Sequence, residues 1–370
     1  MTYLDHNATS PLRPEARAAM ERALGSANPS SVHAKGRKAR AHVEEARLSI
    51  AKLANADVQD VIFTSGGTEA NALALHAAVH GAAEVGARIT RIFVSAVEHD
   101  SVLANANALA ERFAGLRLET IPVLANGTVD LDALRVALRE GKGRALVAVM
   151  AANNETGVIQ PIDEVGKLAR EAGALLMVDA VQAAGKIGLG FDADYKTISS
   201  HKLGGPQGAG ALILKPGVPF APLLLGGGQE RGRRAGTENV PAIAGFGAAA
   251  KIASNVSNAL RDRFESSLKQ IAPDAMVFGK DAVRLANTSN FALPGILAET
   301  AVMALDLDGV MISSGAACSS GKVRPSHVLA AMGVGEDIAR CALRVSFGWD
   351  STEADADAAI ASLSKLLARA

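Results

Sequence analysis

Short apolar runs alternate with alanine-rich stretches through the first two-thirds of the chain, and this alternation constrains the fold more than any other feature. The runs stand in "DVIFTS", "RIFVSAVEHD", "RALVAVMAANNETG", "ALLMVDAVQAAG" and "YKTISSHKLGG". None of them alternates polar with apolar residues, and helical stretches such as "EANALALHAAVHG" follow them. Strands that are apolar on both sides and alternate with helices indicate an α/β fold, with a mostly parallel sheet covered on both faces.

The pattern changes after the glycine-rich segment "LLLGGGQERGRRAGTENVPAI". One long helix over roughly 241–270 is expected to lead into a smaller unit, with strands near "ANTSNFAL", "GVMISS" and "ALRVSF". Its helices are expected at "LAETAVMALD", "SHVLAAM" and "TEADADAAIASLSKLLARA". We therefore predict a large domain over residues 15–250 and a small α+β domain formed by residues 1–14 and 251–370.

The charge balance excludes some classes of function. The chain has 38 Lys and Arg residues against 38 Asp and Glu residues, so its formal net charge is zero. This balance disfavours binding to nucleic acid or to an anionic membrane surface as the main role. The sequence contains no uncharged apolar run of about 18 residues, and its first residues lack a basic segment before an apolar one. We expect a soluble, cytoplasmic protein.

Lys202 follows a predicted strand in "SSHKLGGPQGAG", at the edge of the sheet where ligands of such folds bind. A lone lysine there is either a solvated turn residue or a partly buried amine that forms a Schiff base with a carbonyl cofactor. Asp179 favours the second reading, because it directly follows four apolar residues and its burial requires a cationic or hydrogen-bonding partner. A protonated pyridine nitrogen is such a partner, and the pair therefore points to pyridoxal phosphate.

A glycine-rich helix start in "TSGGTEANALAL" is a candidate site for the phosphate of that cofactor. Gly67 and Thr68 offer backbone N–H groups and a hydroxyl at the positive end of a helix. The alternative is a simple helix start with Glu69 in the first turn. His99 follows another predicted strand, where its ring either stacks on a flat cofactor or has only a structural role.

The two cysteines stand in contrasting surroundings, and their separation fits neither a disulfide framework nor a cysteine metal site. Cys318 lies among Ser, Gly and Ala in "SSGAACSSGK", without the apolar neighbours of a buried structural thiol, so we interpret it as a reactive residue. Cys341 has apolar neighbours in "IARCALRVSF" and is predicted to be a packing residue.

The ordered set of motifs resembles the cysteine desulfurases, in the class V aminotransferase branch of fold-type I pyridoxal-phosphate enzymes. It runs from Tyr3 to Gly348 as "YLDHNATSPLRPE", "SGGTEANALAL", "VEHDSVL", "NNETGVIQPI", "VDAVQAAGK", "SSHKLGGPQGAGAL", "RRAGTENV", "SSGAACSSG", "PSHVLAAMG" and "LRVSFG". The resemblance implies a seven-stranded, mostly parallel sheet flanked by helices, a small C-terminal α+β domain and a homodimer.

The resemblance also implies roles for the cofactor-binding residues. Lys202 would form the Schiff base and shuttle protons, and Asp179 would keep the pyridine nitrogen protonated. His99 would stack on the ring and assist proton transfer. Two amides would bond the ring oxygen: Gln182 and Asn154. The phosphate would be held by Gly67, Thr68, Ser199 and His201, with Thr237 reaching over from the second subunit.

On the substrate side, the resemblance implies that Arg344, with Asn154, binds the carboxylate of L-cysteine. Cys318 would take the sulfur as a persulfide, releasing L-alanine. It would pass the sulfur to an acceptor such as an iron–sulfur scaffold protein, where the persulfide would contact a cluster. The resemblance implies no metal site of the chain's own. Two further readings are an aminotransferase or selenocysteine lyase on the same cofactor, and a non-catalytic sulfur carrier or partner-binding protein. The presence of both Lys202 and Asp179 weighs against the last.

Overall fold

The protein was analysed as a computed structural model, which describes residues 1–253, 257–315 and 326–369. Within these ranges the strands are β1 (Thr2–Tyr3), β2 (Val61–Thr64), β3 (Ile89–Ser95), β4 (Arg117–Ile121), β5 (Arg144–Ala148), β6 (Leu175–Asp179), β7 (Tyr195–Ser199), β8 (Gly210–Leu214), β9 (Met276–Val277), β10 (Thr288–Ala292), β11 (Val310–Met311), β12 (Ser313–Ser314) and β13 (Ala342–Ser346).

The helices of the same ranges are α1 (Pro14–Ala23), α2 (Ala34–Ala54), α3 (Gly67–Glu84), α4 (Asp100–Arg112), α5 (Leu131–Glu140), α6 (Ile162–Glu171), α7 (Val240–Ile252), α8 (Ala259–Ile271), α9 (Ala298–Leu307), α10 (His327–Ala331), α11 (Glu336–Ala339) and α12 (Glu353–Leu367). Among them, none combines the length and the apolar character that crossing a bilayer requires.

The central sheet has seven strands in the order β2-β8-β7-β6-β5-β3-β4. Strand β8 is antiparallel to both of its neighbours, whereas the other neighbouring pairs are parallel, so the predicted mostly parallel sheet is confirmed. Every residue of β2, β6, β7 and β8 is buried. Burial on both faces explains why these segments lack polar alternation.

Hydrophobic clusters cover the two faces of this sheet. Along β3, Phe93 belongs to one cluster, whereas Ile92 and Val94 belong to the other, as the alternating direction of strand side chains requires. Helices α2, α5, α6 and α7 contribute to the first cluster, and α3 and α4 contribute to the second. The α/β fold with helices on both faces is therefore confirmed.

The helix predicted over 241–270 is wrong as a single element. Helix α7 ends at Ile252, and Ala253 is extended with φ −63° and ψ 126°. Helix α8 begins only at Ala259. Just before α8, the hydroxyl oxygen of Ser257 accepts from the backbone N–H of Ala259 over 3.2 Å, as Ser side chains do at helix starts.

A second, smaller group of elements has its own core. Strands β12, β13, β10 and β9 form an antiparallel sheet in that order, and β1 pairs in parallel with β11. Leu4 lies in one buried cluster with Phe264, Phe291 and Phe347. The first residues of the chain thus pack with its last third, and the division into domains at residues 14 and 250 stays a prediction.

One buried ion pair anchors the glycine-rich segment 226–238 to the central sheet. The guanidinium of Arg47 donates to both carboxylate oxygens of Glu230 over 2.7 and 2.8 Å, and both side chains are almost fully buried. Glu230 also accepts from the backbone N–H of Phe63 over 2.9 Å. Glu230 and Arg231 adopt left-handed φ angles of 47° and 59°. The ion pair therefore holds a segment whose backbone is strained.

Replacing Arg47 with Met is expected to lower the free energy of unfolding by about 3–5 kcal/mol, because it leaves the Glu230 carboxylate buried without its cation. Denaturant titration of the variant measures this loss. Arg263→Ala is the control, since the exposed Arg263–Asp357 pair exchanges its partner for water at little cost. Equal losses in the two variants would contradict an anchoring role for the buried pair.

Candidate active site

A cavity of about 410 Å³ lies at the carboxyl ends of the central strands. It brings together ten of the residues predicted from the sequence: Gly67, Thr68, His99, Asn154, Asp179, Gln182, Ser199, His201, Lys202 and Arg344. Nine of them come from loops or strand ends of the central sheet, as expected for a parallel sheet, and Arg344 comes from β13 of the smaller group.

Of the predicted residues that the structure describes, Thr237 does not line this cavity. Thr237 is exposed on the segment 226–238. Cys318 lies outside the described residues. On its N-terminal side, Ser313 lines the cavity. On its C-terminal side, the Ser326 hydroxyl donates to the Glu155 carboxylate, and His327 Nε2 lies 3.0 Å from the backbone oxygen of Glu98.

The start of α3 is built for an anion. No side chain caps the helix at Gly66. A Cβ atom at Gly67 would come within 2.9 Å of Val181 Cγ2, so only glycine allows the helix to approach this closely. The buried hydroxyl of Ser199, which lines the cavity, has no hydrogen-bond partner among the described residues. Open helix N–H groups and an unpaired hydroxyl together suit a phosphate.

Glu69 does not cap this helix start. Its carboxylate forms an ion pair with Arg234, with N–O distances of 2.7 and 3.0 Å, and accepts from the backbone N–H of Ser65 over 2.8 Å. Arg234 belongs to segment 226–238. Glu69 thus ties that segment to the first turn of α3 and leaves the end of the helix open.

Asp179 ends β6 as a buried carboxylate whose direction is fixed. Its Oδ2 accepts from Asn71 Nδ2 over 2.8 Å, and its Oδ1 accepts from the backbone N–H of Val181 over 2.9 Å. Asn71 is held in turn by the hydroxyl of Thr197, which donates to its Oδ1 over 2.5 Å. The sequence reasoning missed Asn71. Its signal was an amide one turn after Gly67, directly before the apolar run of residues 72–75.

Lys202 is not a solvated turn residue. Its amine donates to the backbone oxygens of Asn7 over 2.6 Å and of Ala8 over 2.8 Å. Burial, and secondly the positive charge of Arg344, lower the pKa of Lys202 to about 8, although Asp5 and Asp179 act in the opposite direction. An amine with such a pKa exchanges protons near neutral pH.

Arg344 points a partly paired guanidinium at the cavity. Its Nη2 donates to Asp5 Oδ1 over 2.6 Å, and its Nη1 donates to the backbone oxygen of Asn154 over 3.1 Å. Its buried Nε has no partner within the described ranges. A planar fork with a free donor is the group that binds carboxylates in two-point fashion.

Two imidazoles complete the lining. His99 caps α4, and its Nδ1 accepts from the backbone N–H of Ser101 over 3.1 Å, so the neutral ring carries its proton on Nε2. His201 Nδ1 lies 3.1 Å from the hydroxyl of Thr9. Burial, and secondly the charge of Lys202, lower the pKa of His201 to about 4, so its ring is neutral at neutral pH.

Glu98 is a buried acid beside the site that the sequence reasoning did not single out. Its Oε1 accepts from the Ser95 hydroxyl and the Met150 backbone N–H, both over 2.6 Å, and its Oε2 has no partner in the part of the chain that is described. Burial raises the pKa of Glu98 to about 8, and the charge of Asp179 adds to the effect. The carboxyl is therefore protonated at neutral pH. No sequence pattern separated it from a surface acid.

Cys341 is buried, and its thiol donates to the backbone oxygen of Asp337 over 3.4 Å. It lies in a cluster with Val328, Leu329 and Met332. The prediction that Cys341 is a packing residue is confirmed.

Known proteins with similar sequence and structure were then compared. Residues 2–359 match the family described as aminotransferase class-V. A cysteine desulfurase of Cereibacter sphaeroides is 44% identical, with 96% of this chain and 92% of that protein aligned. An IscS-like cysteine desulfurase of Mycobacterium tuberculosis is 42% identical over 100% of this chain and 97% of that protein. A NifS-like protein of Rickettsia africae superposes with a TM-score of 0.88 at 34% identity, covering 100% of both chains.

Glu98→Gln is expected to stabilise the protein increasingly as pH rises from about 4 to 8. The unfolded chain loses the Glu98 proton near pH 4 and the folded chain near pH 8, so the wild type loses stability across this window. Because Gln does not titrate, the variant's advantage should reach at least about 1 kcal/mol at pH 8 in urea titrations.

Glu69→Gln provides a comparison of opposite sign. Hydrogen bonds and charge from Arg234, with bonds from Ser65, outweigh the desolvation of Glu69 and lower its pKa. Its contribution to stability is present above the unfolded pKa and is lost as pH falls through the folded pKa. A difference between Glu98→Gln and wild type that stays constant from pH 4 to 8 would show that Glu98 is not protonated in the fold.

The amine of Lys202 is expected to react with trinitrobenzenesulfonate at a lower pH than ordinary lysines. Its neutral, nucleophilic form should reach half its full population near pH 8, against about 10.4 for an unperturbed lysine. Peptide mapping of cofactor-free protein by mass spectrometry follows this site, and Lys202→Ala removes the signal. Half-maximal labelling above pH 10 would mean that burial does not perturb the amine.

Proposed function

Because the chain belongs to the cysteine desulfurases of the aminotransferase class-V family, we propose that it binds pyridoxal phosphate, converts L-cysteine to L-alanine and carries the sulfur as a persulfide on Cys318. The observation that supports this most is the single cavity that joins Lys202, Asp179, Arg344 and the open start of α3. Amine, carboxylate, guanidinium and anion site are the four groups that this cofactor and an amino-acid substrate require.

The donor set of the cavity fits the cofactor. The open helix start and the unpaired hydroxyl of Ser199 suit its phosphate. The carboxylate of Asp179, held by Asn71, suits its pyridine nitrogen. We propose that the cofactor is held by Gly67, Thr68, His99, Asn154, Asp179, Gln182, Ser199, His201 and Lys202.

When bound, pyridoxal phosphate supplies an electron sink that weakens the bonds around the substrate's α-carbon. Asp179 holds the proton on the pyridine nitrogen. Lys202 moves protons to and from the substrate, for which a pKa of about 8 is suited. His99 carries its proton on Nε2 and assists that transfer.

Arg344 binds the substrate carboxylate with the guanidinium that lines the cavity. Its pairing with Asp5 leaves Nε free and holds the fork in place before the substrate arrives. The backbone of Asn154 supports the same fork from the other side. The carboxylate is thereby held in one orientation, which fixes the direction of the L-cysteine side chain.

Cys318 performs the sulfur transfer. Its thiolate attacks the sulfur of the bound cysteine, the carbon–sulfur bond breaks, and the electron pair of that bond remains on carbon, which takes up a proton to give alanine. In the sequence Cys318 stands among Ser, Gly and Ala, which is typical of a reactive thiol rather than a packed one. We propose an iron–sulfur scaffold protein as the acceptor of the persulfide sulfur.

A homodimer completes the site in this proposal. Thr237 is exposed, and its segment is fixed at both ends by Arg47–Glu230 and by Arg40–Glu238, whose N–O distance is 3.0 Å. We propose that this exposed hydroxyl serves the phosphate of a second copy. Leu224 and Leu225 are exposed just before this segment and are apolar surface suited to such a contact.

Mass spectrometry after treatment with L-cysteine tests the proposal. Wild type loaded with pyridoxal phosphate should gain one sulfur atom on Cys318 and release alanine. Cys318→Ala should lower alanine formation by roughly two orders of magnitude or more, because the nucleophile is lost. Cys341→Ala is the matched control and should keep the activity.

Other outcomes would identify the alternatives. Unchanged turnover in Cys318→Ala would point to an aminotransferase or selenocysteine lyase. The proposed enzyme activity would be rejected if the wild type bound no cofactor. In that case the wild type and Lys202→Ala would both lack a visible absorbance band.

A further inference from the structure

The backbone oxygen of Asn7 is a shared acceptor for two side chains of the cavity, the Lys202 amine and the Gln182 amide. It accepts from Lys202 Nζ over 2.6 Å and from Gln182 Nε2 over 2.8 Å. Asn7 itself is buried. The orientation of the Gln182 amide and the position of the Lys202 amine therefore depend on how firmly Asn7 is held.

The other polar atoms of Asn7 are also bonded. Its backbone N–H donates to Ser346 Oγ, and its side-chain Nδ2 donates to Thr288 Oγ1 and to the backbone oxygen of Asn154. Ser346 and Thr288 belong to the smaller group of elements, whereas Asn154 follows the central sheet. Asn7 Oδ1 accepts from Lys186 Nζ over 3.0 Å and from Asn287 Nδ2 over 3.1 Å. A residue with this many bonds has a single orientation in the fold.

Lys186 joins Asn7 to Gln182 from behind the cavity. Its amine donates to Gln182 Oε1 over 2.7 Å as well as to Asn7 Oδ1. Lys186 does not line the cavity. Burial, and secondly the charges of Lys202 and Arg344, lower the pKa of Lys186 to about 7. The amine has at least two N–H groups in either protonation state, so both bonds persist across neutral pH.

We propose that Lys186 is a positioning residue that fixes the Gln182 amide so that its NH₂ group faces the cavity and donates to the ring oxygen of the cofactor. This inference rests on the proposed function, since it needs pyridoxal phosphate in the cavity. Nothing in the established family assignment requires Lys186, because it touches neither cofactor nor substrate.

The argument depends on the two ends of the amide. Rotation by 180° exchanges its oxygen and its NH₂ group at almost no steric cost, so only hydrogen bonds select the orientation. The Lys186 amine donates to Oε1 and the Asn7 oxygen accepts from Nε2, and together they select the observed orientation of the amide. Nε2 has two N–H groups, of which Asn7 O uses one, and the second is left for a ligand oxygen. Without Lys186, Oε1 loses its partner and the selection weakens.

Lys196 is the matched control, because it is a buried lysine without a contact to Gln182. Its amine is also buried, and it donates to the backbone oxygens of Leu189 over 3.0 Å and of Ala54 over 3.3 Å. It does not line the cavity and has no bond to Gln182 or Asn7. Replacing either lysine with Met removes a buried amine, but only the change at Lys186 releases the amide.

The experiment titrates pyridoxal phosphate into cofactor-free wild type, Lys186→Met, Lys186→Arg and Lys196→Met. It records the dissociation constant, the visible absorbance maximum of the bound cofactor, and the Tm of each protein. Lys186→Met is expected to weaken binding about tenfold and to shift the absorbance maximum, because a hydrogen bond to the ring oxygen is lost. Lys186→Arg, which keeps a donor beside the small cavity behind Lys202, should restore both.

A double-mutant cycle shows whether Lys186 acts through Gln182. In the Gln182→Met background, Lys186→Met should add less than about twofold to the loss of affinity, because the amide is already absent. Lys186→Gln replaces the Met variant if that one does not fold. Its side chain is one bond shorter and cannot reach both acceptors, so the same loss is expected.

Three results would overturn the inference. The first is an unchanged dissociation constant and absorbance in Lys186→Met, with a Tm loss like that of Lys196→Met. The second is an equal weakening of cofactor binding in Lys196→Met. The third is full additivity with Gln182→Met. Failure of the wild type to bind pyridoxal phosphate is a separate result, which overturns the proposed function first and this inference with it.

Discussion

Burial of the central sheet on both faces is the constraint on which the site depends. A strand such as β6 is apolar to its last residue, where Asp179 stands, so polar chemistry is confined to the strand ends. Parallel strands bring those ends to one edge. Gly67 and Lys202 follow two other strands of the same sheet and reach the cavity for the same reason. The site is thus a consequence of the topology, whereas the identity of each side chain decides its chemistry.

Charge in and directly behind the cavity is arranged so that the amines of Lys202 and Lys186 give up protons easily. Lys202, Lys186 and Arg344 lie near one another and are largely removed from water. Burial and the neighbouring positive charges lower the pKa of both lysine amines. Asp5 and Asp179 only partly offset this effect at Lys202. A reactive lysine needs such an environment, because a surface lysine is almost wholly protonated at neutral pH.

The sequence predicted most of the fold and the cavity, since both follow from local patterns. Apolar runs without alternation identified the sheet, and Lys202 and Asp179 stood out because each follows such a run. Lys186 and Glu98 were missed because their roles come from tertiary contacts that no local pattern encodes. Asn71 was missed although its amide stands one turn after Gly67. The helix over 241–270 was wrong because general helical character concealed the break after Ile252. The predicted role of Cys318 lies outside the described residues.

The N-terminal segment makes the reactive amine sensitive to both groups of elements. Leu4 is buried in the core of the smaller group, and three residues later Asn7 accepts the hydrogen bond of Lys202. Asn7 also receives bonds from Lys186 on the sheet side and from Asn287 on the other side. A shift of one group against the other would change the partners of the amine. The bonds of Asn7 to both groups of elements oppose that shift.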